Sequence, residues 1–247
     1  MRIAAAQTEP IAQNTDANIL HHVQYIDLAA EHGVQLIAFP EMSLTGYELE
    51  RAAELSFTID DPRLEVLSER AAQHDMIIIA GAPVRLDAAL HISSFIFLPN
   101  KQIALYTKQF LHSGEEVFFS PNHHHNPQIT LENERIACAI CADITNPLHP
   151  ANACSSGATL YIPSIFYTPG GIAEAYQQLG EYSKRHAMHI LMANFTSESY
   201  RYPAAGRSAF WNASGRLVGQ LDENTEGLLL AENVGGEWQT SVIDVVY

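Results

Sequence analysis

Three residue types able to do hydrolytic chemistry stand at the ends of apolar runs in this chain. The first is Cys141, in Arg135-Ile136-Ala137-Cys138-Ala139-Ile140-Cys141-Ala142-Asp143, where a β-type run stops and Asn146-Pro147 opens a helical segment. A thiol at a strand-to-helix elbow is lifted out of the sheet. The free N–H groups and positive dipole end of the following helix favour its thiolate, the nucleophilic form. The second is Glu41, which an apolar run over 34–39 delivers into Pro40-Glu41-Met42-Ser43-Leu44-Thr45-Gly46-Tyr47. The third is Lys108, in Tyr106-Thr107-Lys108, with Gly114-Glu115-Glu116-Val117-Phe118-Phe119-Ser120-Pro121 downstream. A carboxylate, an ammonium and a thiol together form a sensible hydrolytic set.

The elements that must position these groups alternate along the chain. Strands are expected at 2–6, 34–39, 76–80, 135–140, 159–162 and 190–194. Helices are expected at 18–32, ended by Gly33, from Asp61-Pro62 to about 74, near 147–155 and at 172–186. Runs 93–98 and 102–107 read as a hairpin, and Asn212-Ala213-Ser214-Gly215 as a turn between 208–211 and 216–219. Helix crossovers mixed with hairpins predict a layered α/β protein with mixed sheets.

Composition narrows the function classes. The chain has 247 residues, 47% of them apolar, enough for one large core over 1–247. A formal net charge of −15 disfavours nucleic acid and anionic membrane surfaces as partners. No apolar run approaches the ~20 residues of a bilayer span. The N-terminus reads as a first strand rather than a signal peptide, and three cysteines suit free thiols in a reducing cytoplasm.

With these motifs in place the chain resembles the nitrilase superfamily of carbon–nitrogen hydrolases. Strand-Pro-Glu with a Gly-Tyr bend, Tyr-x-Lys with a downstream Glu and Phe-Phe-x-Pro, and an apolar strand ending in Ile-Cys-x-Asp occur in the family's order. Ile3-Ala4-Ala5-Ala6-Gln7 and Gly206-Arg207-Ser208 extend the likeness over nearly the whole chain. The resemblance implies a four-layer α-β-β-α sandwich of two facing mixed sheets and a homodimer formed through the helices after Cys141 and around 172–186. It implies Cys141 as nucleophile, Glu41 as general base, Lys108 as oxyanion cation and the Ala142 N–H as its backbone partner. It assigns Glu115, rather than Glu116, to orienting the lysine or the substrate. The implied reaction is hydrolysis of a small linear amide through a thioester, with no metal or organic cofactor. The same triad also serves a nitrilase, a carbamoyl hydrolase or an acyl transferase, and a non-catalytic binding or scaffold member of the fold is a further alternative.

Three positions depart from the family pattern. Ala142 stands where Tyr is common, Thr145 where Arg can bind a substrate carboxylate, and Asn122 where Gly is usual; Asn tolerates the left-handed turn. Tyr47, Ser164, Ile165 and Phe166 follow strand ends, where pocket lining and ordinary packing are both open. Cys138 and Cys141 form Cys-x-x-Cys, but residues three apart on a strand face opposite sides, which makes Cys138 core. His123-His124-His125 sits between turn residues and reads as a surface loop. Cys154 reads as packed, and Asp143 as a structural acceptor of backbone N–H groups.

Overall fold

The structure, a computed structural model, describes residues 1–245. β1 (Arg2–Gln7) opens the chain, and Asn14 starts α1 (Thr15–Glu31) by accepting the Ala17 N–H with its side chain. Gly33, at φ 69°, leads out of this helix into β2 (Leu36–Ala38). α2 (Ala52–Leu55) and α3 (Glu65–His74) follow, the latter entered through a 3-10 turn whose Asp61 carboxylate accepts the Arg63 N–H. β3 (Ile77–Leu86), β4 (Ala89–Phe97) and β5 (Ile103–Thr107) form a meander. β6 (Ile129–Leu131), β7 (Glu134–Ile140), α4 (Leu148–Ser155), β8 (Leu160–Ile165), α5 (Ile172–His186) and β9 (His189–Asn194) come next. A short hairpin, β10 (Glu198–Ser199) with β11 (Tyr202–Pro203), precedes β12 (Ala209–Trp211), β13 (Leu217–Gln220), β14 (Gly227–Val234) and β15 (Glu237–Asp244).

Among the described residues, two large sheets result beside the β10-β11 hairpin, ordered β15-β14-β1-β2-β3-β4-β5 and β13-β12-β9-β8-β7-β6. Both are mixed: β1-β2-β3 and β7-β8-β9 are parallel, and the flanking pairs are antiparallel. The period-two alternation of each strand sorts its side chains into layers. Ile3, Ile77 and Ile79 of one sheet meet Ile136, Cys138, Leu160 and Ile162 of the other in the interior of the sandwich. Ala4 and Ala6 turn outward onto Tyr25 and Ile26 of α1 and Leu67 and Ala71 of α3. Ala139, Tyr161 and Ile190 turn outward onto Ala153 of α4 and Ala175 and Leu179 of α5. The result is the expected α-β-β-α sandwich, with central strands buried on both faces, as near-continuous apolar runs require.

Several boundaries differ from expectation. α1 begins at Thr15 rather than 18, because Asn14 supplies an N-cap that apolar spacing does not register. β3 runs on to Leu86 because β4 pairs along its length, from Ile78↔Phe97 to Leu86↔Ala89. The β14–β15 hairpin is not among the expected elements; β14 inserts between β15 and β1, a pairing of opposite chain ends that local pattern does not encode. Asn122 is not left-handed. Its side chain instead accepts the His124 N–H at 2.8 Å, an Asx-type turn open to a polar residue. Among the described residues no helix is long and apolar enough to cross a membrane.

Candidate active site

β2, β3 and β5 run in one direction, since β4 is antiparallel to both of its neighbours, and two of them release candidate residues at one end. After β2, Pro40-Glu41-Met42 turns back across β3. Met42 takes φ 49°, Leu44 N donates to Gly81 O at 2.9 Å, and Gly81 N donates to Ser43 Oγ at 3.2 Å. His22 locks the same loop to α1: its ring meets Ser43 Oγ at 2.9 Å and Asn18 O at 2.7 Å. Burial drives the His22 pKa down to about 3, which keeps this ring neutral. Lys108 follows β5, and its backbone N–H donates to Ile92 O of β4 at 2.9 Å.

From the facing sheet, β7 releases Cys141 at φ 41°, a left-handed conformation that a side-chain-bearing residue adopts only under constraint. Residues Cys141–Thr145 then form a 3-10 helix, whose first N–H groups, that of Ala142 included, lack acceptors within the helix. Asp143 is fully buried and ties the two sheets together. Its Oδ2 accepts the Ile140 N–H at 2.9 Å, just before Cys141. Its Oδ1 accepts the N–H groups of Gln109 at 3.0 Å and Phe110 at 2.9 Å, just after Lys108. The expected structural role for Asp143 holds, and it reaches further than the local turn.

The side chains converge. Lys108 Nζ donates to Glu41 Oε1 at 2.7 Å and to both oxygens of Glu115 at 2.8 Å. Glu115 also accepts the Tyr47 hydroxyl at 2.6 Å and the His112 N–H at 2.8 Å. Glu116 faces the surface and caps the Gly114 N–H, so Glu115 is the acid that enters the site. Lys108 and Glu41 are each 1% exposed and Cys141 is 8% exposed. Glu41 Oε2 is buried without a hydrogen-bond partner.

Burial raises the Glu41 pKa to about 7, even though the Lys108 charge pulls it down. Burial also opposes the Lys108 ammonium, but Glu41, Cys141 and Glu115 outweigh it and hold the amine firmly protonated. The Cys141 thiol is pushed well above its ordinary value by burial and by Glu41, against the pull of Lys108. This corrects the expectation that the elbow favours a thiolate: desolvation beside a carboxylate outweighs the short helix, and the resting sulfur is a thiol that donates to Phe166 O at 3.8 Å. The site therefore combines a thiol that keeps its proton with a carboxyl whose pKa lies near neutrality.

The carbon-nitrogen hydrolase family profile matches residues 2–239. The chain belongs to the carbon–nitrogen hydrolase family. Among relatives, it is 22% identical to an arylacetonitrilase of Aspergillus niger, covering 94% of this chain and 83% of that one. It is 24% identical to the glutamine-dependent NAD(+) synthetase of Thermotoga maritima, covering 95% of this chain but 43% of the synthetase. Among solved structures it superimposes, at TM-score 0.85 and 19% identity, on a double mutant of the amidase from Nesterenkonia sp. AN1 in complex with acrylamide, covering 93% of this chain and 89% of that one. Another mutant of that amidase carries the acetamide moiety of fluoroacetamide on its active-site cysteine, at TM-score 0.84, 20% identity and the same coverage.

Within this hydrolase, the other expected residues divide. Tyr47 and Phe166 stand together at the site, with ring centroids 5.1 Å apart, and Phe195 and Tyr200 extend the aromatic wall on either side. Neither Phe195 nor Tyr200 was expected from the sequence, since each lies on a segment remote from the motifs. Ser164 is buried on the same face of β8 as Ile162 and Leu160. Ile165 is a correction. Its side chain points the other way, into the core under α5, and only its carbonyl serves the site, accepting the Glu41 N–H at 3.4 Å. Cys138 is core, but Cys141 joins the same interior cluster, because the left-handed elbow overrides the strand alternation. His123 and His124 are exposed, and Cys154 is half-buried, its thiol donating to His186 O at 3.6 Å.

Proposed function

We propose that this carbon–nitrogen hydrolase is an amidase acting on a small, neutral, linear amide, with Cys141 as nucleophile, Glu41 as general base and acid, and Lys108 as the oxyanion cation. The observation that carries this is the buried Glu41–Lys108–Glu115 cluster beside the Cys141 thiol. In the first step Glu41 takes the thiol proton as Sγ bonds to the amide carbon, and the carbonyl electron pair moves to oxygen. The Lys108 ammonium, held in place by Glu41 and Glu115, supplies the positive charge for that oxygen, alongside the Ala142 N–H. Each such donor is worth roughly 2.7–4 kcal/mol of barrier. Collapse breaks the C–N bond as Glu41 returns its proton to the departing ammonia, leaving a thioester. Glu41 then takes a proton from water, hydroxide adds to the thioester carbon, and the C–S bond breaks as sulfur regains its proton.

The acrylamide complex of the Nesterenkonia amidase supports a small amide, and Thr145 in place of an arginine supports an uncharged one. The likeness to an arylacetonitrilase, with the aromatic wall of Tyr47 and Phe166, favours an aryl nitrile as the second substrate class. A panel of amides, nitriles and carbamoyl compounds, scored for ammonia and acid, separates the two. Cys141→Ala abolishes turnover while leaving the circular dichroism spectrum unchanged; ammonia release by that variant refutes the assignment. The homodimer expected from the resemblance is tested by light scattering.

A further inference from the structure

A chain of buried hydrogen bonds runs from the outer layer of the sandwich to Asp143, and its polarity can be worked out from its members. The Tyr106 hydroxyl donates to Asp143 Oδ2 at 2.5 Å and lies 2.8 Å from His149 Nε2. A phenol has one hydrogen, and Tyr106 has given it to the carboxylate, so its oxygen accepts and His149 Nε2 carries a proton. His149 Nδ1 lies 2.8 Å from the Tyr161 hydroxyl. Burial lowers the His149 pKa and keeps the ring neutral despite Asp143, so Nδ1 is bare and accepts from Tyr161. Tyr106, Asp143 and Tyr161 are fully buried and His149 is 4% exposed. Every link is therefore shielded from competing water, where such networks act as units.

The destination gives the chain its meaning. The two Asp143 oxygens also receive the N–H groups that flank Lys108 and Cys141, so the rotation of one carboxylate sets the separation of both segments. We propose that His149 and Tyr106 are positioning residues for the reaction, which hold Asp143 in the one orientation that places Lys108 and Cys141 for attack. This rests on the proposed role of Cys141. His149 comes from α4, outside the three motifs, and its place in the network is visible only once α4 packs under β7 and β8.

The test uses iodoacetamide, a neutral amide electrophile, with the maximal rate and half-saturating concentration of Cys141 labelling read by mass spectrometry. His149→Phe and Tyr106→Phe are each expected to lower the maximal rate about tenfold or more, as small misplacements of reacting groups do, with half-saturation within about threefold. His149→Gln, which keeps a donor and an acceptor, is expected to recover much of the loss. The double variant is expected to match either single one, because both act through the same carboxylate. Wild-type maximal rates in both Phe variants, an equal loss in His149→Gln, or additive losses would overturn the proposal. If Cys141 of the parent protein labels no faster than Cys154, the nucleophile assignment falls first and the proposal with it. Tyr106→Phe removes a single oxygen and keeps the test open should His149→Phe fail to fold.

Discussion

Gly81→Ala should disable the hydrolase without touching any group proposed to react. Gly81 lies in β3 directly beneath the Glu41 loop. A Cβ placed there would stand 2.4 Å from Met42 N and 2.9 Å from Pro40 O. Both are backbone atoms on either side of Glu41, so neither can swing aside as a side-chain tip would. The loop must lift by about 1 Å to restore ordinary contact. Met42 already holds φ 49°, and Leu44 and Ser43 are bonded to Gly81 itself, so the displacement passes into Glu41. The Glu41–Lys108 contact of 2.7 Å would then exceed hydrogen-bonding reach. Misplacement of this size costs about a hundredfold in kcat, and overpacking of this kind about 1–3 kcal/mol in stability. For a chain of this size that is a melting temperature about 2–12 °C lower. Steady-state ammonia release gives kcat and KM, and thermal circular dichroism gives the melting temperature. Gly170→Ala is the control, since its nearest neighbour is Thr168 Oγ1 at 3.8 Å. A Gly81→Ala protein with kcat within about threefold of the parent would refute the reasoning.

Two further outcomes follow from the electrostatics. Because burial raises the Glu41 pKa to about 7 and, in the proposed mechanism, its basic form accepts the thiol proton, kcat/KM should fall about tenfold per pH unit below about 7 and level off above it. A flat profile from about pH 5.5 to 8.5 would contradict this. The same shift makes the folded state the tighter proton binder, so the Glu41 contribution to stability is full below about 4.5 and is lost as pH rises through about 7. Lys108→Met removes the one cation between Glu41 and Glu115, and should destabilise the fold by about 3–5 kcal/mol at neutral pH. Denaturant titration should show the deficit shrinking at about pH 5, where the Glu41 carboxyl takes up its proton; an unchanged midpoint at neutral pH would count against the ion cluster.

Much of the site was legible before the fold. Glu41, Lys108 and Cys141 each end an apolar strand, and the motif order set them in one family. Glu115 was separable from Glu116 by its spacing to Phe118-Phe119, and the structure turns Glu115 inward and Glu116 out. What failed did so for identifiable reasons. Ile165 was grouped with Ser164 and Phe166 by position, but alternation along β8 sends it to the outer face. The thiolate expectation weighed a helix end and not desolvation, a property of the assembled interior.

The chain by itself determined which chemical groups are present, which strands carry them, and that near-continuous apolar runs must bury those strands on both faces. Tertiary structure decided how the groups are tuned and held. The Glu41 pKa depends on exclusion of water by two facing sheets, one of which pairs strands from opposite ends of the chain. The tie between Lys108 and Cys141 passes through Asp143, Tyr106 and His149, residues up to 43 positions apart. Spacing along a polymer says which residues can share a strand; charge regulation and side-chain register depend on packing across layers, which no local pattern records.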